Sequence, residues 1–165
     1  MYDSLTREDI RKMEEEIEHR KAVVRKELLE SVKEARAHGD LSENFEYKAA
    51  KREKNQNESR IRYLEKMIRT ARIIDDHAKE DEAGLNKKVE LYFEEDDETE
   101  TMKIVTTVRE NSLKGRISNV SPLGKALLGH RAGDRVYVPV NEKAGYYVQI
   151  RNVTPDDSEE ELRSY

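Results

Sequence analysis

Two carboxylates three residues apart, Asp40 and Glu43, stand in the stretch HGDLSENFEYKAAK, residues 38–51, midway along a run of helix-forming sequence. Gly39 supplies a break just before them, and Asp40 is a preferred N-cap for a second helix. A charged pair at the far end of a helical hairpin suits a device that reaches into a partner. Mg2+ takes one or two carboxylates together with waters and phosphate oxygens, so a bare pair holds it poorly. Such a pair can complete a site whose other ligands belong to another molecule. The same D-x-x-E spacing is also close to a capping box, in which both carboxylates serve backbone N–H groups. The local pattern leaves both readings open.

The elements that must position this pair are two long helices. From about Thr6 to His38 apolar residues recur at Ile10, Met13, Ile17, Val24, Leu28, Val32 and Ala35, one narrow stripe with no Pro or Gly before Gly39. A helix of about 33 residues is roughly 50 Å long. Thr6 and Asp9 resemble a capping box at its start. From about Leu41 to Ile74 the stripe is Leu41, Phe45, Ala49, Ile61, Leu64, Ile68, Ala71 and Ile74. KREKNQNESR, residues 51–60, holds no apolar residue, so polar contacts are expected there. Two such helices joined by a short turn pack antiparallel. The expected hairpin covers residues 1–76, with its tip at about 38–44.

Beyond it the pattern changes. Residues 77–87 are charged and aperiodic and read as a linker. Runs rich in Val, Ile, Tyr and Thr follow at Val89–Phe93, Met102–Val108, Arg135–Val140 and Tyr146–Val153, with EEDDETE, residues 94–100, as the first turn. Ser121 before Pro122 is a plausible N-cap and Gly129 a stop for a short helix between strands. Residues 88–153 thus make a small α+β domain, and the fold class is α+β. TPDDSEEELRSY, residues 154–165, carries five acids and reads as a disordered tail.

Composition narrows the function classes. With 35% hydrophobic and 41% charged residues, the chain offers poor material for one deep core. No Cys means no disulfide and no thiolate site, which fits a reducing cytoplasm. The N-terminus lacks the apolar segment of a signal peptide, and no run is long enough to span a bilayer. A net charge of −5 argues against coating DNA, so little affinity for free DNA is expected. Residues 42–72 nevertheless hold nine basic and five acidic side chains, a local excess behind the tip. His19, His38, His77 and His130 lack metal-ligand spacing.

EARAHGDLSENFEYKAAK, residues 34–51, resembles the tip of the bacterial Gre transcript-cleavage factors. RIRYLEKMIRTARIID, residues 60–75, is similar to their returning helix. SPLGKALLGHRAGDRVYVPV, residues 121–140, is similar to the signature of their C-terminal domain. The resemblance implies an antiparallel coiled-coil hairpin followed by an FKBP-like domain. It implies an RNA polymerase partner, a hairpin entering the secondary channel, and a C-terminal domain docking through Ser121, Pro122, Leu123 and Gly124. Asp40 and Glu43 are then the tip carboxylates that share a Mg2+ with the polymerase, and backtracked RNA is cleaved by the polymerase's own activity. The protein is not an enzyme by itself, holds no cofactor alone, and is expected to be a monomer.

On the same reading Arg36, Lys51 and Arg52 contact the extruded 3′ end of the nascent RNA, although i,i+4 pairing with Glu43, Glu46 or Glu53 explains these cations too. Gly39, Leu41, Ser42, Asn44 and Phe45 shape the tip, and Ser42 and Asn44 serve equally as helix-start residues. Phe45 departs from the small residue usual there and either packs into the seam or protrudes. Tyr47 matches the family, with helix packing the plainer role. The N-terminal segment lacks the family's usual Gly-Tyr pair and first-helix Pro. The alternative function is a Gre-like channel factor that inhibits polymerase without cleavage. A prolyl isomerase is disfavoured by the lack of Trp and the few aromatics, Tyr92, Phe93, Tyr137, Tyr146 and Tyr147. A plain coiled-coil adaptor leaves the motifs as coincidence.

Overall fold

A computed structural model describes residues 3–39, 44–75 and 78–164, and the chain divides into two compact units. In the first unit, α1 (Arg7–His19), a π turn (Arg20–Val24) and α2 (Arg25–Arg36) follow one another and pack against α3 (Phe45–Thr70). The apolar seam is densest where Met13 meets the Ile61, Leu64 and Met67 end of α3, all four buried. The half-buried and buried positions along α3 include Tyr47, Ala50, Lys54, Asn57, Ile61, Leu64 and Ile68, with Ala71 at its C-cap. These form an unbroken heptad pattern, alternating steps of three and four. Extending the phase of Ile61 and Leu64 backwards reaches Tyr47 and Ala50, not Phe45 and Ala49. The expected stripe is therefore corrected in its first half: Phe45 is 81% exposed and Ala49 is exposed.

The polar stretch 51–60 is matched by polar residues opposite. Glu16 accepts from Arg20 Nε and Arg60 Nε, both at 2.8 Å. Arg20 Nη1 donates to Asn57 Oδ1 at 2.9 Å, and Arg25 grips Glu58 with two bonds of 2.9 and 2.8 Å. Lys21 Nζ lies 2.6 Å from Glu65. Burial pushes the Glu16 carboxyl up, but the hydrogen bonds from Arg60 and Arg20 outweigh it and hold the group below its ordinary 4.5.

The second unit takes in Ser4–Thr6 and runs from Ile73. Strands β1 (Ser4–Leu5) and β2 (Arg72–Ile73) pair, and just after β2 the Ile74 N–H donates to Leu5 O at 2.9 Å. Five further strands, β3 (Lys87–Phe93), β4 (Glu98–Val105), β5 (Arg116–Ser118), β6 (Arg135–Pro139) and β7 (Gly145–Pro155), form a sheet of order β5-β4-β3-β7-β6. Only β4 and β5 run parallel. Period-two alternation puts Val89, Leu91, Ile104, Val136, Val138, Val148 and Ile150 on one face, where Leu127 of α4 (Pro122–Leu127) joins them.

Two expectations change here. The presumed linker 77–87 supplies Ala83 and Leu85 to this core, 1% and 7% exposed, and Lys87 already belongs to β3. Two apolar side chains among charges leave no periodicity, yet they pack on the core while Ala83 N–H donates to His130 O and Glu82 pairs with Arg131. The presumed disordered tail 154–165 continues β7 to Pro155, and beyond it Glu160 is 6% exposed. Asp156, Glu160 and Glu161 are held by cations of the same unit. β5, three residues long and carrying Arg and Ser, has no strand-like pattern to find.

A group whose pKa is depressed by folding stabilises the native state above its unfolded value and loses that contribution as pH falls through the folded one. Replacing Glu16→Gln should therefore cost about 2–3 kcal/mol at neutral pH, somewhat below the cost of breaking a fully buried pair. In urea titrations, the wild type should lose stability more steeply than the variant once the pH drops below 4.5.

Candidate nucleic-acid interface and docking face

Several side chains join the end of α2 to the start of α3, and Asn44 does so at both. The last turn of α2 tightens, with Ala37 N–H donating to Lys33 and Glu34 and His38 N–H to Ala35, and Gly39 follows at φ +122°, open to glycine and strained for other residues. Asp40, Leu41, Ser42 and Glu43 lie outside the described residues. Asn44 is the N-cap of α3: its Oδ1 accepts from Tyr47 N–H at 3.0 Å, while its Nδ2 donates to Ala35 O at 2.6 Å. The expected helix start at Leu41 with Asp40 as its cap is thus corrected to Phe45 and Asn44. An amide accepts and donates at once, so it can cap one helix and bind the other; a carboxylate can only accept. Asn44 was expected to shape the tip; among the described residues its side chain links the end of α2 to the start of α3.

Around this joint the expected RNA-contact residues are exposed. Arg36 Nη2 donates to Tyr47 Oη at 3.4 Å, with its guanidinium carbon 5.4 Å from the ring centroid. That hydrogen bond, then the charges of Arg36, Lys51 and Lys54, hold the Tyr47 hydroxyl below its ordinary 10. His38 Nδ1 lies 2.9 Å from Glu46, which leaves Glu46 engaged. Lys48 Nζ is 5.8 Å from the Phe45 ring, and among the described residues Lys51 and Arg52 form no ion pair. The i,i+4 pairing that would have accounted for them is absent among those residues. The cluster offers positive charge and an exposed aromatic ring, the two elements that hold single-stranded nucleic acid.

The second motif resolves into parts with different work. Ser121 caps α4: its Oγ accepts from Gly124 N–H at 3.1 Å and donates to Ser118 O at 2.6 Å. Pro122 occupies the first helical turn. Gly124 is buried so closely that a Cβ there would lie 2.0 Å from Ser118 O. Leu123 packs half-buried on the core. Of the four, Pro122 alone is exposed, flanked by the exposed Val120 and Leu128. Tyr137 and Tyr147 stand 48% and 40% exposed with their centroids 5.1 Å apart.

Among the described residues no three His, Asp or Glu side chains could hold a metal ion, and no helix is long and apolar enough to cross a membrane. Two family models divide the chain between them. The one described as transcription elongation factor, N-terminal, matches residues 4–73, and the one described as transcription elongation factor, GreA/GreB, C-term, matches residues 78–155. Transcription elongation factor GreA of Geobacillus kaustophilus is 48% identical over 135 residues, covering 81% of this chain and 85% of that one. GreA of Staphylococcus saprophyticus is 40% identical, covering 90% and 94%. The solved GreA factor homolog 1 (Gfh1) of Thermus thermophilus covers 93% of this chain and 99% of its own at 27% identity, with a TM-score of 0.42. The chain belongs to the GreA/GreB family of transcription elongation factors.

Replacing Asn44→Ala removes the cap and the tie to Ala35 together and should cost about 1–2 kcal/mol in urea unfolding. Phe45→Ala next to it, exposed, should stay within about 0.5 kcal/mol. Gly124→Ala must push against backbone and should cost about 1–3 kcal/mol, read as a lowered thermal midpoint.

Proposed function

We propose that this protein binds RNA polymerase and stimulates the polymerase's own cleavage of backtracked RNA through the tip carboxylates Asp40 and Glu43. The observation that carries the reading is the family match across residues 4–73, which contains the GDLSEN stretch between the two ends that Asn44 ties together. Asp40 and Glu43 would hold a Mg2+ jointly with the polymerase. Two carboxylate donors suit that ion when waters and phosphate oxygens complete its shell. When bound, such an ion supplies charge stabilisation for the attacking and leaving oxygens of an in-line displacement.

The chain's own residues then have separate tasks. Exposed Arg36, Lys51 and Arg52 bind phosphates of the extruded RNA 3′ end and orient it, contacts that position a strand without reading sequence. Gly39 and Asn44 fix the two helix ends between which Leu41 and Ser42 run. Pro122 and the apolar residues beside it form the docking surface on polymerase, which Ser121 and Gly124 shape and Leu123 anchors. Its working compartment is the bacterial cytoplasm, and it acts as a monomer with little affinity for free DNA. A second reading, occupation of the secondary channel without cleavage, is favoured by one observation: an 81% exposed Phe45 two residues beyond Glu43.

A stalled bacterial elongation complex with labelled RNA and Mg2+ separates the two. Wild-type protein should release 3′ fragments, and Asp40→Ala/Glu43→Ala should still bind while cleavage returns to the level of polymerase alone. Binding by the wild type without fragment release would establish the inhibitory reading instead.

A further inference from the structure

The family model of the C-terminal unit ends at residue 155, but the chain beyond it stays on its own sheet. Asp156 N–H donates to Asn86 O at 2.8 Å, Lys103 Nζ to Ser158 O at 3.2 Å, and Arg163 N–H to Val108 O at 2.7 Å. Between these points the Glu160 carboxylate is buried, one oxygen on Lys103 Nζ and the other 3.5 Å from Arg109 Nη1. Glu161 lies 3.0 Å from Arg116 Nη2 and 2.9 Å from Lys114 Nζ. Asp156 Oδ2 lies 3.6 Å from Lys88 and 3.8 Å from Lys103.

These cations are placed by the sheet and not by the tail. Lys103 sits in β4 between β3 and β5, and Arg116 opens β5 with its Nε donating to Arg109 O at 2.9 Å. With the tail in place Lys103, Arg109 and Arg116 are only 5%, 5% and 8% exposed, and Glu160 and Glu161 supply the counter-charge that cations gathered under a covering segment require. The occupant that fits is a peptide. Its backbone meets Val108 O and Lys103 Nζ, and its carboxylate enters a site closed to water. A nucleic-acid strand brings phosphates but not that backbone donor and acceptor. The tail nevertheless adds no strand to the sheet, whose order ends at β5. A segment held this way opens at lower cost than a core strand.

We propose that the groove of Lys103, Arg109 and Arg116 is a binding site for an acidic, extended peptide segment of a partner protein, and that residues 156–164 are a tethered occupant which such a segment displaces. A tether beginning directly after β7 gives the tail an effective concentration in the millimolar range, so a competing segment succeeds when its own carrier is already docked nearby.

The probe is a fluorescein-labelled peptide of residues 156–164, DDSEEELRS, followed by anisotropy with the full-length protein. Wild type should bind it weakly. Full-length Glu160→Gln/Glu161→Gln, whose own tail has lost its grip, should bind at least about tenfold more tightly, a gain of about 1.4 kcal/mol. Adding Lys103→Met and Arg116→Gln should abolish that gain. A chain ending at Pro155 opens the groove by a different route and should bind at least as well as the double variant. The proposal is overturned if neither variant gains affinity, or if a single-stranded RNA binds the opened groove and the peptide does not. Loss of the cooperative thermal transition in both variants would overturn it too, because the tail would then be a fixed part of the fold.

Discussion

Among the described residues, buried charge mostly keeps company with its counter-charge, as Arg60, Lys103, Arg109, Arg116 and Glu160 do, and both units are organised around that constraint. A chain with more charged than hydrophobic residues, 41% against 35%, cannot segregate the two as a conventional core does. In the hairpin, Glu16 sits between Arg20 and Arg60, and the apolar seam is dense only on the side of that layer where Met13 and Leu64 lie. In the sheet unit, Glu160 sits between Lys103 and Arg109. Buried pairs add little net stability over apolar packing, but either partner alone is expensive. They therefore select one alignment of the two helices and one path for the tail, because a shifted register would strand a charge.

The same constraint explains the difference between the ends of the hairpin. Toward Ile61, Leu64 and Met67 the helices bury apolar side chains. Toward Asn44 the facing positions hold Tyr47, Ala50 and Lys54, and contact passes to hydrogen bonds. The helices stay close there, and it is apolar burial that is given up where cations are kept exposed. Arg36 is steadied by a tyrosine ring rather than a carboxylate, so its positive charge is not cancelled. Lys51 and Arg52, without ion pairs among the described residues, keep theirs as well.

Sequence periodicity reveals the hairpin, four of the strands and α4, because each carries a repeat or a cap that depends on local chemistry. It misplaces the first half of the second stripe because the facing positions there are Tyr47, Ala50, Lys54 and Asn57, and only the spacing from Ile61 identifies them. The N-cap moves from Asp40 to Asn44 for a tertiary reason, the bond to Ala35 O, which no local preference contains. Ala83 and Leu85 are too few to make a pattern, and β5 borrows its definition from β4. The tail reads as disordered because its acids are visible in the sequence while the buried cations that receive them come from three separate places along the chain. The carboxylates of the tip are legible as residues and as a family motif, while Asp40 and Glu43 lie outside the described structure.

The π turn between α1 and α2 bears on how this hairpin can tolerate change. Met13 and Ala35 both face the seam although twenty-two residues separate them, one more than three heptads. The π turn over Arg20–Val24 takes up that one residue, and Asn57 Nδ2 reaches Arg20 O across from it at 3.4 Å. The opposing helix α3 has no such slack. Loss of a single residue from 20–24 would leave an ordinary α-helix with its seam still in phase. The same loss within α3 would rotate everything beyond it by about 100° and turn the seam to solvent. One arm of the hairpin thus carries a spare residue, and the other has none to lose.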